Sequence, residues 1–232
     1  MKTYKHYSFD LWLTLIKSNP TFKKERALFF FKHFNASKKT LIEVEIIFRR
    51  IDLMVNAVNQ KSGGNISAEE MYLMVVYEIN ESDCIFHNLD ITWLLNEMEL
   101  LFFQYIPVIY DENTLNALKT IKENNETSMS ILSNTGFIKG STLRVVLERL
   151  ELAHLFDFQL YSDEEGLSKP NPKFFELMLD KVSTLKENRP INSSEIIHVG
   201  DNLVADIYGA NFIKINSFQI NSNKNTISDL LK

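Results

Sequence analysis

"HYSFDLWLTLI", residues 6–16, frames the reading of the whole chain. An apolar run ends in Asp10, and Thr14 stands four positions later. Tyr4 to Phe9 reads as a strand, which places Asp10 at its carboxyl end. The chemistry of the chain turns on whether Asp10 is a buried nucleophile, and on why the bulky Trp12 stands two residues on.

A chain of 232 residues can bury a sizeable core, as one large domain or as a core with a smaller inserted one. Its 45% hydrophobic and 24% charged residues are those of a globular protein. The formal net charge of −5 argues against a nucleic-acid partner, which needs a clustered positive field. Cys84 is the single cysteine, so neither an internal disulfide nor a cysteine-cluster metal site is available. No stretch reads as a signal peptide, and no apolar run is long enough for a membrane span. The expectation is a cytoplasmic protein without membrane contacts.

Between about Lys17 and Tyr105 the pattern is almost wholly helical. Asn19 is placed to cap a helix opened by Pro20, with Leu28, Phe31 and Phe34 in its apolar stripe. Leu41, Val44, Ile47, Ile51, Met54 and Val55 recur at helical spacing. "GGN" at 63–65 breaks the chain, Ser67 and Glu70 form a capping-box pattern, and another helix starts after Asp90. From there on, helical and strand patterns alternate: strands are read in "SMSILSN", "FDFQLYS", "SEIIHVGD" and "KINSFQI", with a helix in "VADIYGANFI". Alternation implies a parallel sheet with helices on both faces. The architecture expected is an α/β, Rossmann-like doubly wound core of residues 1–16 and 106–232. A helical cap of residues 17–105 is inserted after the first strand, over the crevice where such sheets bind ligands.

Four polar clusters fall at corresponding strand ends. They are Asp10 with Thr14, Ser133 with Asn134, Lys169 before a helix that Pro172 can open, and Asp201 with Asp206 in "GDNLVAD". Carboxylates, hydroxyls and one ammonium in a single crevice suit a divalent cation and a phosphate. In these motifs and their order the chain resembles the haloacid-dehalogenase-like superfamily, in the branch with a helical (C1-type) cap. The resemblance covers essentially the whole chain. It implies that Asp10 is a nucleophile forming an aspartyl phosphate, with Thr14, Ser133, Asn134 and Lys169 binding the phosphoryl group. It further implies Mg²⁺ held by Asp10, the main-chain carbonyl of Trp12 and Asp201, with Asp206 in support, and a small phosphorylated metabolite as substrate.

Phosphatases of that superfamily usually carry Asp-x-Asp-Gly-Thr, where this chain has Asp10-Leu11-Trp12-Leu13-Thr14. The missing second Asp is the family's general acid and base, worth roughly 10² to 10⁴ in rate. An indole N–H cannot shuttle protons near neutral pH. The reading is therefore a phosphatase, slow or favouring good leaving groups. The alternatives are a dehalogenase-type carbon–halogen hydrolase using the same aspartate, or a phosphate-binding module that has lost turnover. Trp12 is expected to act by packing, and His198 to be a core histidine with satisfied nitrogens.

Overall fold

A computed structural model describes residues 4–81, 89–124, 126–185 and 191–232; Cys84 lies outside the described residues. The first strand, β1 (His6–Phe9), is central, because all four of its residues are buried. Its alternation sorts side chains by face. Tyr7 and Phe9 enter an apolar cluster. His6 and Ser8 face the other way, and their polar atoms are satisfied within the sheet. His6 Nδ1 and Nε2 pair with the Ser128 and Ser130 hydroxyls at 2.8 and 3.0 Å, and Ser8 Oγ pairs with His198 Nδ1 at 2.9 Å.

A two-residue strand, β2 (Ile16–Lys17), leads into four helices: α1 (Pro20–His33), α2 (Leu41–Ser62), α3 (Ala68–Ile79) and α4 (Ile91–Gln104). The chain returns through β3 (Val108–Ile109), which pairs antiparallel with β2. There follow α5 (Thr114–Lys122), β4 (Ser128–Ser133), α6 (Gly140–Arg149), β5 (Phe158–Tyr161), the single turn α7 (Ser162–Glu165) and α8 (Pro172–Leu185). Last come β6 (Ile196–Gly200), a π-helical turn (Leu203–Tyr208), α9 (Gly209–Phe212) and β7 (Asn216–Gln219).

The main sheet has the order β5-β4-β1-β6-β7, and every neighbouring pair in it is parallel. The chain runs from β1 outward to β4 and β5, then crosses back to β6 on the other side of β1. This reversal opens a crevice at the carboxyl end of β1. Residues of α5 and α6 bury one face of the sheet, and those of α8 and α9 bury the other. The α/β expectation thus holds.

Helices α1–α4 carry a largely separate apolar cluster built on Phe30, Phe48, Ile51, Tyr72, Val75 and Leu94. Their starts follow local signals. Asn19 accepts from the Thr21 amide at 2.9 Å ahead of Pro20, Ser67 and Glu70 complete a capping box, and Asp90 caps α4. Two expectations are corrected. The buried face of α1 is Phe22, Arg26, Ala27 and Phe30, while Leu28 is half-buried and Phe31 exposed. The stripe is rotated because Arg26, a charged residue, occupies an interior position that an apolar count skips. On α2, Met54 is exposed and Phe48 takes the buried position instead. In "VADIYGANFI" the expected helix opens as the π-helical turn, with Asn202 accepting from the Val204 and Ala205 amides.

Phe30 is fully buried, with ring centroids 4.9 Å from Phe48 and 5.2 Å from Phe34. Phe30→Ala should therefore lower unfolding free energy by about 3–5 kcal/mol. Urea denaturation measures this, and a loss under about 1 kcal/mol would mean that the cluster repacks around the gap.

Candidate active site

The carboxyl ends of β1, β4 and β6 and the loop before α8 meet at Lys169. This ammonium is 1% exposed and donates to Asp10 Oδ1 at 2.8 Å, Asp206 Oδ1 at 2.7 Å and the Leu132 carbonyl at 2.6 Å. A buried ammonium is tolerated only when charge and hydrogen bonds compensate its lost hydration. Here burial pulls the Lys169 pKa down, but Asp10 and Asp206 outweigh it and hold it above the ordinary lysine value. The loop is set from its backbone, since Asn134 accepts from the Lys169 amide at 2.7 Å and donates to its carbonyl at 3.0 Å.

Asp10 is buried and accepts from Thr14 Oγ1 at 2.9 Å and, at a long 3.4 Å, from Ser133 Oγ. Burial pushes its carboxyl up to about 6, against the opposing pull of Lys169. Asp201 is raised to about 7 by burial and by the Asp10 and Asp206 charges. Asp206 goes the other way. Burial opposes its ionisation, but the Lys169 ammonium and a hydrogen bond with His198 hold it well below the usual carboxylate range. His198 Nε2 lies 3.2 Å from Asp206 Oδ1 while Nδ1 meets Ser8, so both ring nitrogens are satisfied. Burial lowers the histidine's pKa and favours its neutral form.

Two backbone features allow this crowding. A Cβ on Gly200 would stand 2.2 Å from Asp206 Cγ, so only glycine lets that carboxylate approach the end of β6. Leu13 adopts φ +60°, a left-handed conformation that costs a side-chain-bearing residue about 1–2 kcal/mol. Asn221 holds the turn by donating to the Leu13 and Thr14 carbonyls at 2.8 and 3.0 Å. Trp12 is half-buried against the apolar cluster beneath the sheet ends.

Asp10, Asp201 and Asp206 each offer a carboxylate oxygen within 4.8 Å of the others. Against one ammonium, three ionised carboxylates leave two negative charges, which suits a divalent cation with oxygen ligands. Every site residue expected from the sequence is thus at or beside one crevice. Four participants belong to none of the four clusters. Asn221 pins the turn, Ser162 donates to Asn65 of the α2–α3 loop at 2.7 Å, and Ser162 Oγ also accepts from the Thr135 amide at 2.7 Å. The two contacts at Ser162 tie the helical segment to the β4 loop. "GGN" marks a break in the sequence but carries no sign of this contact.

A family profile described as haloacid dehalogenase-like hydrolase matches residues 4–212. A 62-residue stretch is 44% identical to glyceraldehyde 3-phosphate phosphatase of Pyrococcus furiosus, covering 27% of this chain and 23% of that protein. The matched stretches span less than half the length of the curated relatives. The Bacillus subtilis protein YfnB, assigned to the HAD-hydrolases and solved bound to magnesium, superposes with TM-score 0.72 at 13% identity over 97% of this chain and 92% of that one. A 2-haloacid dehalogenase of Pseudomonas syringae superposes at 0.62 with 18% identity, over 94% and 87%. At such identities these superpositions speak to the fold alone. Profile, sheet order and strand-end motifs agree: the chain belongs to the haloacid dehalogenase-like hydrolases.

Proposed function

We propose that this chain is a Mg²⁺-dependent phosphohydrolase of small phosphorylated metabolites, working through an aspartyl phosphate on Asp10. The observation that carries this reading is the convergence of Asp10, Thr14, Ser133 and Lys169 with two further carboxylates in one crevice. In this reading residues 1–16 and 106–232 form the catalytic core, and residues 17–105 form a cap over it. The single cysteine supports a reducing, cytoplasmic setting.

An Asp10 oxygen attacks phosphorus, the ester P–O bond breaks, and its electron pair leaves with the alcohol oxygen. Thr14, Ser133, Asn134 and Lys169 orient the phosphoryl group, and Lys169 balances its charge. Water then cleaves the aspartyl phosphate, releasing inorganic phosphate and restoring Asp10. Asp10, Asp201 and the Trp12 carbonyl would hold Mg²⁺, with Asp206 in support; the cation supplies charge neutralisation for the phosphoryl oxygens. Trp12 gives neither step a proton donor or acceptor, so leaving groups that depart as stable anions are favoured. Carbon–halogen cleavage fits less well, because the Lys169 ammonium offsets only one of three carboxylates at this spacing, and that chemistry supplies no divalent cation for the rest.

The direct test is hydrolysis of an aryl phosphate with Mg²⁺. Asp10→Asn or EDTA should reduce the rate on the order of 10⁴-fold, to background. Equal trace rates for both proteins would exclude the phosphatase, leaving a dehalogenase or a phosphate-binding module.

The raised carboxyls also fix a pH dependence. Asp10 and Asp201 keep protons in the folded state that an unfolded chain releases near pH 4. Their contribution to stability is full below that pH and is lost as pH rises through about 6 and about 7. Mg²⁺ needs both deprotonated, so its stabilising effect runs oppositely. At a concentration about 100 times its Kd, Mg²⁺ stabilises by about 2.7 kcal/mol. Thermal melts should show a clear Mg²⁺ shift at pH 8 and little at pH 5; equal shifts would place the ion elsewhere.

A further inference from the structure

Helix α2 is apolar on two sides. Its buried stripe contains Val44, Ile47, Phe48, Ile51 and Val55. At about 100° per residue, Ile42, Ile46 and Leu53 fall together on the side opposite that stripe. They are 68%, 57% and 52% exposed. Beside them, between α2 and α3, lies an open apolar groove of about 480 Å³, lined chiefly by Met54, Leu73, Met74 and Tyr77. A helix that is hydrophobic all round belongs in an interior. With Met54, Val58 and Tyr77, also exposed, the outward stripe leaves roughly 500 Å² of apolar surface on one face, at the upper end of what a monomer leaves bare. Keeping it in water costs free energy that covering it recovers. With the charged residues along its edges, the face reaches the roughly 800 Å² per subunit that a standard interface buries.

The charges on α2 say what covers it. Glu45 precedes Ile46 and Arg49 follows it one turn after Glu45, on the same flank of the outward stripe. Arg49 is 67% exposed and reaches Asp52 only at a long 3.4 Å. A second copy of α2 laid antiparallel, with Ile42 of one level with Leu53 of the other, sets Glu45 of each beside Arg49 of the other. It also brings Ile42 level with Met54 and the groove of the second copy. A parallel copy in register would set Glu45 on Glu45 and Arg49 on Arg49. Stripe and charges therefore complement themselves when reversed, as a two-fold interface requires. The surface is also preformed. At the end of α2 the Gly63 carbonyl accepts from the Ser168 amide and from Asn171 Nδ2, each at 3.0 Å, which holds the helix against the loop that carries Lys169. We propose that the protein is a two-fold dimer in which α2 packs antiparallel against α2 of a second copy, with Ile42, Ile46 and Leu53 at the centre of the interface.

Analytical ultracentrifugation of the full chain between about 1 and 100 µM tests this, because a specific interface of standard size holds in the micromolar range or below. A particle of twice the chain's mass is expected. Ile46→Lys, at a position outside the buried core, should raise the dimer dissociation constant on the order of 100-fold. Glu45→Arg and Arg49→Glu should each weaken the dimer about 10-fold by setting like charges together, and the double variant should regain most of that loss. A monomer at every concentration, a particle larger than two chains, a dimer indifferent to Ile46→Lys, or a double variant as weak as the single ones overturns the proposal. If circular dichroism shows that Ile46→Lys does not fold, the three charge variants decide.

Discussion

Everything at the crevice depends on one buried ion cluster, the Lys169 ammonium between the Asp10 and Asp206 carboxylates. Its three anchors come from distant parts of the sequence: the end of β1, the loop before α8 and the turn after β6. Removing any one partner would leave an uncompensated charge inside the protein, a penalty of about 3–5 kcal/mol. The cluster therefore fixes how the strand ends approach each other as well as what they can do. Gly200 has no side chain because Asp206 must pass it, and His198 stands in the sheet because Asp206 and Ser8 engage its two nitrogens.

The same cluster sets the ionisation pattern. Asp206, against Lys169 and His198, stays charged over the whole ordinary pH range, whereas Asp10 and Asp201 share a field with too much negative charge and too little water. Such a divided set of carboxyls is common at functional sites, where charge is stored until a ligand relieves it. A divalent cation would relieve this excess and so make room for the negative charge of a phosphoryl group.

Much of this is legible in the sequence, since strands that alternate with helices leave periodic marks and the polar motifs sit where those strands end. Asn19, Ser67 and Asp90 announce their helices because capping is a local hydrogen bond. What stays hidden depends on contacts distant in sequence. Arg26 resembles a surface charge until Phe22, Phe48 and Phe137 are seen to enclose it. The left-handed turn at Leu13 is supported by Asn221, 208 residues away. Asn65 reaches Ser162 from a loop whose two glycines suggest only a break. The π-helical turn at Leu203–Tyr208 differs from an α-helix by one hydrogen-bond register, which periodicity cannot resolve.

Trp12 carries the sharpest chemical consequence. If Asp10 is the nucleophile and no acid–base group stands at position 12, both chemical steps lose assistance. With an aryl ester the first step needs little of it, so hydrolysis of the intermediate becomes the slow step and phosphorylated Asp10 should accumulate. The measurement that tests this most directly is mass spectrometry of protein quenched in acid during turnover of an aryl phosphate with Mg²⁺. A substantial fraction should carry one added phosphoryl group, located on the peptide that contains Asp10 and absent from Asp10→Asn. Turnover that leaves Asp10 unmodified at every quench time would contradict an aspartyl-phosphate mechanism.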